Sequence, residues 1–182
     1  MRIISGLLKG RVIKGYDIEG TRPTMDRVKE SIFSTIQNYV PDAVVLDLFS
    51  GSGNLGFEAI SNYANKCYFV DKNKKCIDMI NENIKLFNID NASVINADYK
   101  DALTKLKDTK FDIVFLDPPY KNSDYIDYSV KYLVDNNMIN DKGIIVCEYD
   151  SDINKEYDNL EIIKEKKYGD KFVLIFKNKL QK

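Results

Sequence analysis

Apolar positions along the chain follow two alternating rhythms. Short runs at Val44–Leu46, Cys67–Val70, Ser93–Ile95, Phe111–Leu116 and Ile144–Cys147, the last opened by Gly143, predict strands. Between them apolar residues recur at helical spacing. Val28, Ile32, Ile36 and Val40 mark a helix from Thr24 to about Tyr39, with Thr24 as its N-cap and Asp26 at its positive end. Arg27, Lys29 and Glu30 fall outside that stripe. Leu55, Ala59, Ile60 and Tyr63 mark a second helix. Cys76, Ile77, Ile80, Ile84 and Phe87 mark a third, over 74–87. Leu103 and Leu106 give a short one, and Ile126, Val130, Leu133 and Val134 a last one near 124–136. Unbroken strands alternating with amphipathic helices predict a parallel sheet covered on both faces. Leu160–Glu165 and Phe172–Phe176 have only the turn Tyr168-Gly169-Asp170 and its flanks between them, so they pair antiparallel.

The first twenty residues break this pattern. Arg2-Ile3-Ile4 and Arg11-Val12-Ile13-Lys14 are strand candidates separated by Ser5-Gly6 and Lys9-Gly10, which predicts a β-hairpin or flap. Ile3, Ile4, Leu7, Leu8, Val12 and Ile13 need something to cover. Arg2, Lys9, Arg11 and Lys14 precede the first acid, Asp17, although the whole chain has a net charge of −1. Nucleic-acid contact therefore rests on local patches, of which this is the clearest. The expected organisation is a basic segment over 1–20 and one domain over 21–182.

Composition narrows the chemistry. The 182 residues contain no histidine, which excludes His-based triads and most zinc sites, and no metal is expected. Cys67, Cys76 and Cys147 form no C-x-x-C pair and read as reduced thiols of a cytoplasmic protein. No apolar run approaches ~18 residues, so no membrane span is expected.

Two motifs carry chemistry. Asp47-Leu48-Phe49 leads into Gly51-Ser52-Gly53-Asn54-Leu55-Gly56, a glycine loop between strand and helix, and Asp71 ends the next strand about 20 residues later. Such a loop with a ribose-binding carboxylate fits NAD or S-adenosylmethionine, and the glycines alone do not separate them. Asp117-Pro118-Pro119-Tyr120 ends the fourth strand. Two prolines remove two backbone donors and leave carbonyls beside a carboxylate and a ring. A planar amine suits this set: Asp117 and the Pro118 carbonyl accept its N–H groups, and Tyr120 stacks on the heterocycle.

With the loop, Asp71, Asp98 and DPPY together, the chain resembles class I S-adenosylmethionine-dependent amino-methyltransferases. MRIISGLLKGR, TRPTMDRVKESIF, LDLFSGSGNLGFEA and FDIVFLDPPY resemble, more narrowly, the bacterial 16S ribosomal RNA guanine-N2 methyltransferases of the D type. Asn54, Ser50 and Asp71 depart from the residues most frequent there, without loss of a needed carboxylate or glycine. The resemblance implies a Rossmann-like, doubly wound α/β fold with a mostly parallel seven-stranded sheet, an antiparallel C-terminal hairpin and a small N-terminal β-hairpin.

The same resemblance implies roles. Gly51, Gly53 and Gly56 approach the methionine part of S-adenosylmethionine, with Phe49 beside them. Asp47 meets its amino group, Asp71 the ribose and Asp98 the adenine, and Thr24 and Arg27 help close the site. Asp117, Pro118, Pro119 and Tyr120 take the target guanine. Lys9, Arg11, Lys14, Arg22 and Arg27 contact RNA. The implied partner is 16S rRNA in an assembled or late-assembling small subunit, met by a monomer, and the product is S-adenosylhomocysteine. Competing readings are an adenine-N6 methyltransferase, a non-catalytic RNA-binding assembly factor and an NAD dehydrogenase. The missing target-recognition domain, the intact Asp117 and glycines, and the DPPY tetrapeptide respectively weigh against them.

Overall fold

A computed structural model describes residues 1–15, 22–119 and 123–179, with side chains in the first helix from Met25 onward. The elements run α1 (Arg22–Ile36), β1 (Val44–Asp47), α2 (Asn54–Ser61), β2 (Lys66–Asp71), α3 (Lys74–Leu86), β3 (Ala92–Asn96), α4 (Tyr99–Lys105), β4 (Phe111–Leu116), α5 (Ser123–Asp135), β5 (Ile139–Tyr149), β6 (Leu160–Tyr168) and β7 (Lys171–Asn178). The strands form one seven-stranded sheet in the order β3-β2-β1-β4-β5-β7-β6. Strands β1 to β5 are parallel, and β7 lies antiparallel between β5 and β6.

The unbroken apolar runs of the central strands follow from coverage on both faces. Val45, Ile113, Phe115, Ile144, Val146 and Ile175 pack with α1, α2 and α3. The alternate residues Leu46, Val114, Leu116, Ile145, Cys147 and Leu174 pack with α4 and α5. The order reverses between β1 and β4, which opens a crevice outside their carboxyl ends.

Three boundaries differ from the sequence pattern. Helix α1 begins at Arg22 and ends at Ile36, so Thr24 lies in its first turn and is not its N-cap. Pro23 has the φ that a first helical turn requires, which lets the helix start earlier. Strand β5 begins at Ile139, ahead of Gly143. Ile139 pairs with Phe111 and Ile144 with Ile113, so the residues between them bulge out, with Lys142 at φ 63. The Asn140 amide donates to Asp112 Oδ1 at 2.8 Å and fastens that bulge. The N-terminal hairpin is also slighter than expected, its pairing reduced to a single antiparallel bridge, Arg2 with Val12.

What holds this N-terminal segment is the helical layer. Ile3 and Ile13 are buried in the core, each contributing roughly 1.5–3 kcal/mol. Leu7 and Val12, expected to find cover, remain 75% and 55% exposed. The segment's backbone is clasped by α2 and α3. Leu7 N–H donates to Ser61 O at 2.7 Å, Leu8 N–H to Ser61 Oγ at 2.8 Å and Lys14 N–H to Asn83 Oδ1 at 2.9 Å.

Candidate active site

The crevice is a cavity of about 790 Å³ whose walls include Asp47, Gly51, Asp71, Asp98 and Asp117. Each comes from the carboxyl end of a strand or the loop that follows it. Asp47 ends β1 and is 3% exposed. Its Oδ2 accepts the Gly56 N–H at 3.0 Å, which ties β1 to the first turn of α2. Burial, with Asp117 and Asp71 nearby, pushes its carboxyl up from 3.8 to about 7, against the pull of the Gly56 bond.

Asp71 ends β2 and shapes the loop before it. Its Oδ2 accepts Gly51 N–H at 2.8 Å and its Oδ1 accepts Asn73 N–H at 2.8 Å. Each carboxylate oxygen has a second lone pair to offer a hydroxyl. Asp98 caps α4, with Oδ1 accepting Lys100 N–H at 3.0 Å, and still faces the cavity.

The three glycines divide their work. Gly51 has φ 52 and borders the cavity, and a Cβ there would meet open space. Gly53 and Gly56 do not border the cavity. A Cβ on Gly53 would lie 2.7 Å from Phe57 Cε2, and one on Gly56 2.3 Å from Phe69 Cε1. Their lack of a side chain lets α2 pack onto β2.

Asp117 ends the β4 run and is backed by Lys171 of β7, whose Nζ lies 3.3 Å from its Oδ1. Burial raises the Asp117 carboxyl, and Lys171 draws it back. Pro118 and Pro119 line the same cavity. Tyr120 and the side chains of Thr24 and Arg22 lie outside the described residues. Phe49 stacks on Tyr125 with centroids 6.1 Å apart, and Tyr99 on Tyr125 at 4.7 Å. These rings give one wall an apolar, planar face. Arg27, Lys9, Arg11 and Lys14 are exposed and stand outside the cavity.

Several lining residues escape the apolar pattern. Lys29 is 1% exposed, although it lies off the apolar stripe of α1. It pairs with Glu58 at 2.9 Å and donates to Arg2 O at 2.6 Å and Asn54 Oδ1 at 2.8 Å. Nothing local marks that pair. Glu148 had a usable signal, since an acid directly after an apolar run stands where Asp71 and Asp117 stand. Tyr99, Tyr125, Tyr149 and Lys171 are also brought in by the topology.

This donor set fits S-adenosylmethionine. A cationic sulfonium and ammonium suit a cavity lined by carboxylates, a ribose suits Asp71, and an adenine suits the ring wall. Among the described residues no group of side chains could hold a metal ion. The sheet order, the carboxylates on its carboxyl edge and the glycine loop together define a class I S-adenosylmethionine-dependent methyltransferase. The chain belongs to the family described as conserved hypothetical protein 95, which matches residues 1–177. Over 185 residues it is 38% identical to the rRNA methyltransferase candidate YlbH of Bacillus subtilis, covering 98% of this chain and 100% of that one. Over 175 residues it is 36% identical to Ribosomal RNA small subunit methyltransferase D of Haemophilus influenzae, covering 93% and 89%. The solved structure of the Escherichia coli methyltransferase candidate yhhF superposes with a TM-score of 0.88 at 30% identity, covering 100% and 99%.

Proposed function

We propose that the protein methylates the exocyclic N2 amine of a guanine in 16S rRNA, within an assembled or late-assembling small subunit, as a cytoplasmic monomer. Support for the substrate comes from the relatives named for small-subunit rRNA methylation. The observation that carries the chemistry is the placement of Asp117-Pro118-Pro119 in the same cavity as Asp47, Gly51 and Asp71. In this reading residues 1–20 are an RNA-contacting appendage of the 21–182 domain, and Lys9, Arg11, Lys14, Arg22 and Arg27 meet phosphates.

When bound, S-adenosylmethionine would supply an electrophilic methyl group on a sulfonium, whose S–CH3 bond breaks as S-adenosylhomocysteine leaves. The residues of the chain supply orientation. Asp71 holds the ribose hydroxyls, Asp98 the adenine edge and Asp47 the methionine amino group. The N2 lone pair of guanine is delocalised into the ring, and Asp117 and the Pro118 carbonyl accept its two N–H bonds. That arrangement favours a pyramidal nitrogen with its lone pair aimed at the methyl carbon. The nitrogen gains the methyl and loses a proton to Asp117, whose raised carboxyl suits it to receive one. No histidine is needed. The target base must leave its stack to reach this depth.

The test is to incubate unmodified small subunits with the protein and methyl-labelled S-adenosylmethionine, then map the label. Label on the N2 of one guanine is expected. Label on an adenine N6, or none from folded protein, overturns the reading.

A further inference from the structure

Glu148 lies near the end of β5, on the carboxyl edge beside Asp117, and the steps above give it no task. It lines the cavity with a side chain only 10% exposed. Its Oε2 pairs with Lys171 Nζ across a long 3.6 Å, which leaves acceptor capacity on the carboxylate for a group in the cavity. A nearly buried carboxylate held by one long ion pair is costly to keep ionised, and a group kept in that state calls for a reason. Lys171 also stands 3.3 Å from Asp117 Oδ1, so one ammonium ties two carboxylates into a single wall.

The bases differ in what they offer such a wall. Guanine places two kinds of N–H donor side by side, on N2 and N1. Adenine places its amino group beside N1, which has a lone pair and no hydrogen. A second carboxylate next to Asp117 therefore receives a donor from guanine and faces a lone pair in adenine. A buried acceptor left unpaired discriminates strongly against the wrong ligand.

We propose that Glu148 is a specificity-determining residue that accepts the N1–H of the target guanine, held in place by Lys171. The inference rests on the guanine-N2 reading and adds the residue that enforces it. Burial raises the Glu148 carboxyl to about 8, with Asp117 and Asp47 adding to the rise and Lys171 opposing it. Among the described residues those three, just after β4, on β1 and on β7, are the charged groups acting on it. The N1–H donor compensates the ionised form that burial disfavours.

The experiment uses small subunits reconstituted with rRNA whose target guanine is replaced, by ligation, with 2-aminopurine. That base keeps the N2 amine but has neither hydrogen on N1 nor O6. Wild-type protein should prefer guanine by roughly 10²-fold or more in kcat/KM. Glu148→Leu should reduce the preference to less than about ten-fold, mainly by losing rate on guanine. Glu148→Gln, nearly the same shape, should keep the preference through its amide carbonyl. It should also flatten the pH dependence of kcat/KM on guanine near pH 8, where Glu148 of the wild type is expected to ionise. An unchanged ratio in Glu148→Leu, an unchanged pH profile in Glu148→Gln or no preference in wild type overturns the assignment. Failure of wild type to label guanine N2 at all overturns the underlying reading instead.

Discussion

Lys29 Nζ lies 2.9 Å from Glu58 Oε2, with the two side chains 1% and 0% exposed. Glu58 also accepts Ile4 N–H at 3.0 Å, Ser5 N–H at 2.8 Å and the Ser5 hydroxyl at 2.6 Å. The pair is therefore the joint at which α1, α2 and the N-terminal segment meet, and Lys29 and Asn54 present it to the cavity. Removing either partner leaves a buried charge uncompensated. Lys29→Met and Glu58→Ala should each cost about 3–5 kcal/mol in chemical denaturation. A cost below about 1 kcal/mol for both would show that the joint carries little.

Asp71→Ala should weaken S-adenosylmethionine and S-adenosylhomocysteine binding by about 10- to 100-fold, the scale of lost hydrogen bonds to a charged group. Calorimetry measures it. The variant also frees the N–H groups of Gly51 and Asn73, so loop disorder adds to the loss. An unchanged dissociation constant removes Asp71 from the site.

Asp117→Ala should reduce turnover by ~10²-fold or more while cofactor affinity stays near wild type. Asp117 faces the target amine in the proposed reading, and the cofactor is held by Asp47 and Asp71. Single-turnover rates and a binding isotherm on one preparation separate the two effects. Wild-type turnover would refute the role.

The pH dependence of stability has a definite sign. Asp47 keeps its proton in the folded protein up to about 7 and in the unfolded chain only to 3.8. The folded state binds more protons across that window, so stability is fullest below it and falls as pH rises through it. Glu148 adds a similar fall between 4.5 and about 8. Asp47→Asn keeps an acceptor for Gly56 N–H and should flatten the lower part of the slope. Thermal melts of both proteins from pH 4 to 8 check it, and parallel curves would remove Asp47 as the source.

Lys9, Arg11 and Lys14 are exposed at the N-terminal segment, and replacing all three with Ala should weaken binding to small subunits and flatten its salt dependence. S-adenosylmethionine binding should not change. A folded triple variant with wild-type concentration and salt dependence would assign the segment a structural role alone.

Much of this architecture was legible in the apolar rhythm because a doubly covered parallel sheet leaves a strong signature in each strand. Asp47, Asp71 and Asp117 were legible for a related reason, since each follows an apolar run at the edge where ligands collect. Lys29 and Glu58 were not. Polar residues on a helix are ordinarily solvated, and their burial depends on a partner on a different helix, distant in sequence. The glycines were legible as a loop but not in their separate duties, because Gly53 and Gly56 answer to Phe57 and Phe69 across a packing contact. The start of β5 was obscured by Asn140–Lys142, polar residues in a bulge that only the pairing with β4 reveals.

The clasp around residues 1–15 also bears on the order of folding. This segment is synthesised before α2 and α3, yet its docking partners are Glu58, Ser61, Asn62 and Asn83. It must wait, with Ile3 and Ile13 exposed, until those helices exist and the loop between can close. Docking should therefore be a late event, and the segment's amides should become protected from hydrogen exchange after those of β1 and β4. The surface proposed to meet the ribosome would then be among the last parts of the chain to take shape.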